Sequence, residues 1–223
     1  MTLPLASLLP EGIAVVQARD SAPLDTLLVE ERAMVAAAVP KRMLEFATGR
    51  WCAREALREQ GIEGFPVLAD ANRAPLWPRG FVGSITHTDG FCAAAIGRRD
   101  AFAGIGIDAE MNGRVGRELW SNLFTSDEVD RLERMSEPQR ASTATVLFSA
   151  KESFYKAQYS FTNAWLDFTA AAVSIEGDRW HLQLVNPHSA FARLRQPISG
   201  RFVIGDRHVV TAIAIEAFGR GAN

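Results

Sequence analysis

After one opening strand, the apolar positions of this chain fall into two rounds of the same pattern, helices first and strands after. Residues 12–18 form a short apolar run that predicts a strand, and a helix is expected over 24–39, closed by Pro40. Within 41–60, Met43, Leu44, Ala47, Trp51 and Leu57 recur at helical spacing and Gly61 supplies the stop, so a second, amphipathic helix follows. A loop containing Pro and Trp, 72–80, leads to apolar segments at 81–86, 91–97 and 101–109. Thr88-Asp89-Gly90 and Arg98-Arg99-Asp100 separate them, which predicts an antiparallel meander.

The second round begins at Thr125. With Glu128 three residues on, it has the form of a capping box opening a helix to about residue 135. A longer helix is expected over 139–160, then strands at about 168–175, 180–185, 200–204 and 208–217. The pattern predicts an α+β fold of two similar subdomains in tandem, 1–100 and 101–223, each with helices packed on a small antiparallel sheet. No low-complexity linker divides them, so they should pack as one compact unit.

Composition narrows the function classes. The chain has 223 residues, 48% hydrophobic, with a formal net charge of −2 and a pI near 6.1. A general nucleic-acid binder needs an excess of Lys and Arg, so that class is disfavoured. Cys52 and Cys92 lack His or Cys neighbours at metal-ligand spacing, which argues against a zinc site or a disulfide framework. Residues 1–10 carry no basic leader, and no apolar run approaches the roughly 18 residues of a membrane span. An untargeted cytoplasmic protein is expected, with no membrane partner.

Two segments carry candidate chemistry. In Gly104-Ile105-Gly106-Ile107-Asp108-Ala109-Glu110 an apolar strand ends in carboxylates at i and i+2, which point to one face. Their repulsion must be relieved by water, a basic neighbour or a hard cation. The glycines flanking Ile105 read as close-packing positions. On the second long helix Glu152 and Lys156 are i and i+4, either a solvated surface pair or part of a site. Together the two segments offer three carboxylates and an ammonium, an inventory suited to pyrophosphate held with Mg²⁺. Thr86 and His87 end a strand with two groups able to donate to phosphate. Arg50, Arg54 and Arg58 make an i, i+4, i+8 ladder, and Arg73 follows in the loop. A metal-dependent nuclease is the rival class; its usual Lys two residues after a carboxylate is absent here.

The combination resembles the Sfp-type 4′-phosphopantetheinyl transferases, and especially the branch of the enterobactin synthetase component D proteins. The resemblance rests on Gly49-Arg50 with Arg54, residues 73–80, residues 83–87, Gly106 through Glu110, and Phe148 through Lys156, in the family's order. It implies transfer of the phosphopantetheine arm of coenzyme A to a serine of an apo acyl, peptidyl or aryl carrier protein, releasing 3′,5′-ADP. Siderophore, non-ribosomal peptide or polyketide synthesis would be the setting. It implies Asp108, Glu110 and Glu152 as ligands of Mg²⁺ (or Mn²⁺), Glu152 also as base, and Lys156 on the leaving phosphate. Arg50, Arg54, Arg73, Thr86, His87 and Lys151 would contact coenzyme A. It further implies two halves related by a pseudo-twofold axis with the site between them, a monomer, and carrier recognition in the region 119–135 through residues such as Phe124.

Overall fold

The computed structural model describes residues 5–185, 191, 192, 194 and 197–219. The first half contains β1 (Ala14–Ala18), a short helix α1 (Val29–Ala33), the long helix α2 (Pro40–Glu59), β2 (Phe81–Thr88) and β3 (Phe91–Arg98). The second contains β4 (Phe102–Met111), α3 (Trp120–Leu123), α4 (Ser126–Glu133), the long helix α5 (Gln139–Thr162), and β5 (Ala171–Glu176), β6 (Arg179–Leu184), β7 (Ile198–Ile204) and β8 (His208–Glu216). The strands form two antiparallel sheets, ordered β1-β3-β2 and β4-β8-β7-β6-β5. Helix α2 packs on the first sheet and α5 on the second. The α+β fold read from periodicity is therefore present.

Three expectations change. The segment 24–39 holds only a 3-10 turn, Leu24–Thr26, and the five-residue α1. Its apolar residues share no single buried face, for Leu27 and Val35 turn inward while Val29 and Val39 stay exposed. The meander also stops at β3, whose two edges are already taken by β1 and β2, so β4 pairs with β8 instead. The strand expected from 168 starts after a 3-10 turn, Phe168–Ala170. On α2, Leu44 remains exposed and Ala47, Ala53, Ala56 and Leu57 carry the buried face.

The halves repeat a detail that hydrophobic spacing does not reveal. In the second half, Glu128 of α4 is fully buried; it accepts from the amides of Thr125 (2.7 Å) and Val173 (2.7 Å) and pairs with Lys151 of α5. In the first half, Glu31 of α1 is equally buried, accepts from the amides of Leu28 (3.0 Å) and Val67 (2.9 Å), and pairs with Arg54 of α2. The acid and base lie 23 residues apart in both cases. Each base also donates to a carbonyl 28 residues upstream, Thr26 for Arg54 and Leu123 for Lys151. A buried carboxylate must be paired and hydrogen-bonded. These two do it with the same connections, so each ties its long helix to the turn that precedes it.

The halves join along β2 and β4. Ser84 Oγ accepts from the amide of Ile107 (3.1 Å), and Thr86 Oγ1 accepts from the amide of Ala109 (3.0 Å). Side chains two apart on β2 meet amides two apart on β4, so the strands run in the same direction and hydroxyls take the role of a backbone ladder. On its other side β4 lies directly beneath α5. A Cβ at Gly104 would come within 2.1 Å of Ala157 O, and one at Gly106 within 1.8 Å of Ser153 O. The glycines flanking Ile105 are thus what lets α5 approach closely enough to bring its polar residues to the end of β4.

Candidate active site

Asp108 is the centre of the site. It sits on β4 with 3% of its surface exposed, reached from three sides. Lys156 Nζ, from α5, lies 2.6 Å from Oδ1, and Thr86 Oγ1 lies 3.4 Å from the same oxygen. Ser149, one helical turn before Glu152's neighbourhood on α5, donates to Oδ2 at 2.8 Å. Lys156 also donates to the carbonyl of Ile107 at 3.2 Å. Strand β4 and helix α5, whose meeting the sequence left open, come together at Asp108.

The electrostatics show the rest of the cluster. Burial pushes Glu110 up to about 7, and the charges of Asp108 and Glu152 push in the same direction. Glu152 is raised by burial and by Asp108, against the opposing pull of Lys156. For Lys156 burial favours the neutral amine, yet Asp108 and Glu152 outweigh it and hold the side chain as an ammonium. Glu110 and Glu152 thus lie within electrostatic reach of the Asp108–Lys156 pair, where burial disfavours their ionised forms.

Glu152 and Lys156 also line a cleft of about 640 Å³ between the halves. One wall is the 70–80 loop with Pro75, Leu76 and Trp77; the other is the end of α5 with Tyr155, Tyr159 and the following Trp165 and Leu166. Asp70 braces the loop by accepting from the amides of Asn72 and Ala74 (both 2.9 Å). Its Oδ2 accepts from Tyr159 Oη at 2.9 Å, which ties the loop to α5. Arg73 lines the cleft from the tip of this loop, in a left-handed backbone conformation with φ of 67°.

His87, at the exposed end of β2, faces α2. Arg42 Nη1 donates to its Nε2 at 2.7 Å, which puts the ring proton on Nδ1, 3.9 Å from Glu45. Burial and the Arg42 charge lower its pKa below the ordinary histidine value. Arg42 and Glu45 were missed in the sequence, although continuing the arginine ladder back eight residues from Arg50 reaches Arg42.

The remaining basic residues and Thr86 are placed differently from a phosphate-contact reading. Lys151 is fully buried, and its three protons go to Leu123 O (2.8 Å), Glu128 (2.8 Å) and Phe168 O (2.9 Å). Arg54 is committed to Glu31 and Thr26 O. Both are therefore internal bolts, a correction that follows from the need of a buried carboxylate for a counter-charge. Arg50 is buried over the ring of Phe46 with Nε donating to Val67 O at 2.6 Å, and burial lowers its pKa to about 10. The hydroxyl of Thr86 is spent on the β2–β4 seam. Phe124 is likewise core, 2% exposed against Trp120, so it cannot serve as a docking residue; Leu119 is the exposed apolar side chain of that region.

Among the described residues no group of three or more His, Cys, Asp or Glu side chains stands in a metal-binding arrangement. Lys156 occupies Oδ1 of Asp108. It is the chemistry of the donor set that fits a hard cation, since Glu110 and Glu152, both raised by burial and by the charge of Asp108, are oxygen ligands suited to a positive charge.

Glu152 and Lys156 line a cleft with Asp108 and Glu110 close behind them, a set of groups suited to group transfer. Residues 30–97 match the model of the 4′-phosphopantetheinyl transferase N-terminal domain, and residues 104–212 match that of the 4′-phosphopantetheinyl transferase superfamily. The chain is 39% identical to 4′-phosphopantetheinyl transferase Svp of Streptomyces mobaraensis, over 96% of this chain and 89% of that one. It is 37% identical to 4′-phosphopantetheinyl transferase PptT of Mycobacterium tuberculosis, over 78% of each. With Enterobactin synthase component D of Salmonella typhi the identity is 40%, over 52% of this chain and 48% of that one. The chain belongs to the 4′-phosphopantetheinyl transferase family and is an enzyme that transfers 4′-phosphopantetheine to carrier proteins. The fuller matches are to Svp and PptT, with the enterobactin branch more distant. Among the described residues no helix is long and apolar enough to cross a membrane.

Proposed function

We propose that the Asp108 cluster holds the pyrophosphate of coenzyme A with Mg²⁺ while a serine of an apo carrier protein attacks the β-phosphate. The observation that carries this reading is Lys156 Nζ at 2.6 Å from Asp108, with Glu152 one turn away on the same helix and both lining the cleft. In the reaction the serine oxygen forms a bond to the β-phosphorus, and the bond from that phosphorus to the bridging oxygen breaks, releasing 3′,5′-ADP. Asp108, Glu110 and Glu152 would hold the cation, which supplies charge neutralisation along the pyrophosphate. Glu152 takes the serine proton, a role favoured by its raised proton affinity. Lys156 meets the charge that develops on the leaving phosphate.

Residues 1–100 contribute the coenzyme A phosphate contacts in this reading. His87 and Arg73 are the most accessible of the assigned residues, and Arg42 joins His87 as a newly assigned contact. Arg50 shapes that wall from beneath. The phosphopantetheine arm is neutral and amide-bearing, and the cleft walls of Trp77, Leu76 and Leu166 suit it. Residues 101–223 supply the acid, base and ammonium. The enzyme acts as a cytoplasmic monomer, with Mn²⁺ able to replace Mg²⁺, on carriers of siderophore, non-ribosomal peptide or polyketide synthesis.

The test is mass spectrometry of a panel of apo carriers incubated with the enzyme, coenzyme A and Mg²⁺. One added phosphopantetheine on a serine, lost on chelation and restored by Mg²⁺ or Mn²⁺, is the expected result. Transfer that survives complete chelation would overturn the metal assignment, and the carriers that react name the pathway.

A further inference from the structure

A row of three buried hydroxyls holds Asp108 on its inner side. Ser149 Oγ donates to Asp108 Oδ2 at 2.8 Å. Thr211 Oγ1 lies 3.0 Å from Ser149 Oγ and donates to the Ser149 carbonyl at 2.8 Å. Ser153 Oγ forms a further hydrogen bond with Thr211 Oγ1. Ser149 and Ser153 are one turn apart on α5, and Thr211 is the cross-strand partner of Asp108 in the β4–β8 pairing. All three hydroxyl residues are completely buried.

The protons in this row have one consistent direction. An ionised carboxylate only accepts, so the Ser149 proton points to Asp108. The Thr211 proton is taken by the Ser149 carbonyl, with Ser149 Oγ as a second acceptor, so Ser153 must donate to Thr211. Thr211 is thus tied to Ser149 through the carbonyl and through the 3.0 Å contact of the two hydroxyls, and Ser149 gives its own proton to Asp108 Oδ2. A donor fixed on Oδ2 holds this buried carboxylate in one orientation. The opposite oxygen, Oδ1, is left to Thr86 and Lys156.

We propose that Thr211, acting through Ser149, is a positioning residue for the transfer reaction, fixing the orientation of the Asp108 carboxylate that Lys156 contacts and that would help to hold the cation. The inference rests on the reading of Asp108 as a metal ligand. Thr211 touches neither substrate nor cation. Groups that orient a ligand from behind are commonly worth about 10–100-fold in metal affinity.

The test measures Mn²⁺ binding directly, by electron paramagnetic resonance of the free ion, and the Mg²⁺ dependence of transfer to an apo carrier. The proteins are wild type, Thr211→Val, Thr211→Ser, Ser149→Ala and Asp108→Ala. Valine keeps the shape of threonine and deletes only the hydroxyl. Thr211→Val is expected to weaken Mn²⁺ binding by about 10–100-fold and to raise the Mg²⁺ needed for half-maximal transfer by a similar factor. Thr211→Ser should restore both. A purely structural hydroxyl would lower the melting temperature and leave the metal dependence unmoved, and that result overturns the inference. If Thr211→Val does not fold, Ser149→Ala takes its place, and unchanged Mn²⁺ affinity there overturns it equally. Failure of the wild type to bind Mn²⁺, or binding by Asp108→Ala as tight as wild type, instead removes Asp108 as a ligand and this inference with it.

Discussion

Lys151 and Glu128 form an ion pair of 2.8 Å with both side chains wholly buried, and Arg54 and Glu31 form its counterpart in the other half at the same sequence separation. Lys151 has no proton to spare for a substrate, since all three are used. Burial alone would drive Lys151 toward the neutral amine, and its lowered pKa shows that the pull of Glu128 does not fully compensate.

Replacing Lys151 with methionine should therefore cost stability and not coenzyme A affinity. Glu128 would be left buried without its partner, a loss of about 3–5 kcal/mol. Chemical denaturation should show the lowered midpoint, while calorimetry below that midpoint should return a coenzyme A affinity within about threefold of wild type, since 1.4 kcal/mol is a factor of ten. A large loss of affinity with unchanged stability would return Lys151 to the phosphate set.

Gly106 is the position at which α5 and β4 come closest, and Gly106→Ala puts a methyl where Ser153 O already stands. The helix must move away from the strand, which costs about 1–3 kcal/mol or more. Because Glu152 and Lys156 ride on that helix, transfer activity should fall further than stability does. Melting curves and transfer rates measured on one preparation distinguish the two effects.

Glu152→Gln preserves size and removes the proposed base. Transfer should drop by about 10²–10⁴-fold. Lys156→Ala should lose transfer as well, and in addition it leaves the buried Asp108 without its ammonium. The melting temperature of Lys156→Ala is expected to recover on adding Mg²⁺ or Mn²⁺, and a melt that ignores both ions would count against the shared cluster.

His87 carries a readable pH signature. Burial and Arg42 lower its pKa in the folded chain below the ordinary value of about 6.5. Between those two values the unfolded chain binds more protons, so His87 contributes a loss of stability as pH falls through that window and nothing above it. Proton NMR should find its midpoint below 6.5, rising in Arg42→Gln and rising when a phosphate-bearing ligand such as 3′,5′-ADP binds. A midpoint that ignores both would detach His87 from the substrate.

Much of the fold was legible in local pattern. The long helices 40–59 and 139–162 and the strands that follow them announce themselves through apolar spacing, Pro, Gly and the Thr125–Glu128 cap. The residue types of the site, carboxylates at i and i+2 on a strand and Glu-Lys at i and i+4 on a helix, follow equally from spacing, because the periods of strand and helix determine which side chains share a face. What the chain alone could not decide is which partners those faces meet. Whether β4 continues the meander or crosses to β8 depends on β1 having filled the free edge of β3, a contact between segments about eighty residues apart. Arg50, Arg54 and Lys151 look like phosphate ligands one at a time. Only in the folded chain does the demand of buried Glu31 and Glu128 for counter-charge turn Arg54 and Lys151 inward, while Lys156 is drawn to Asp108 and lines the cleft.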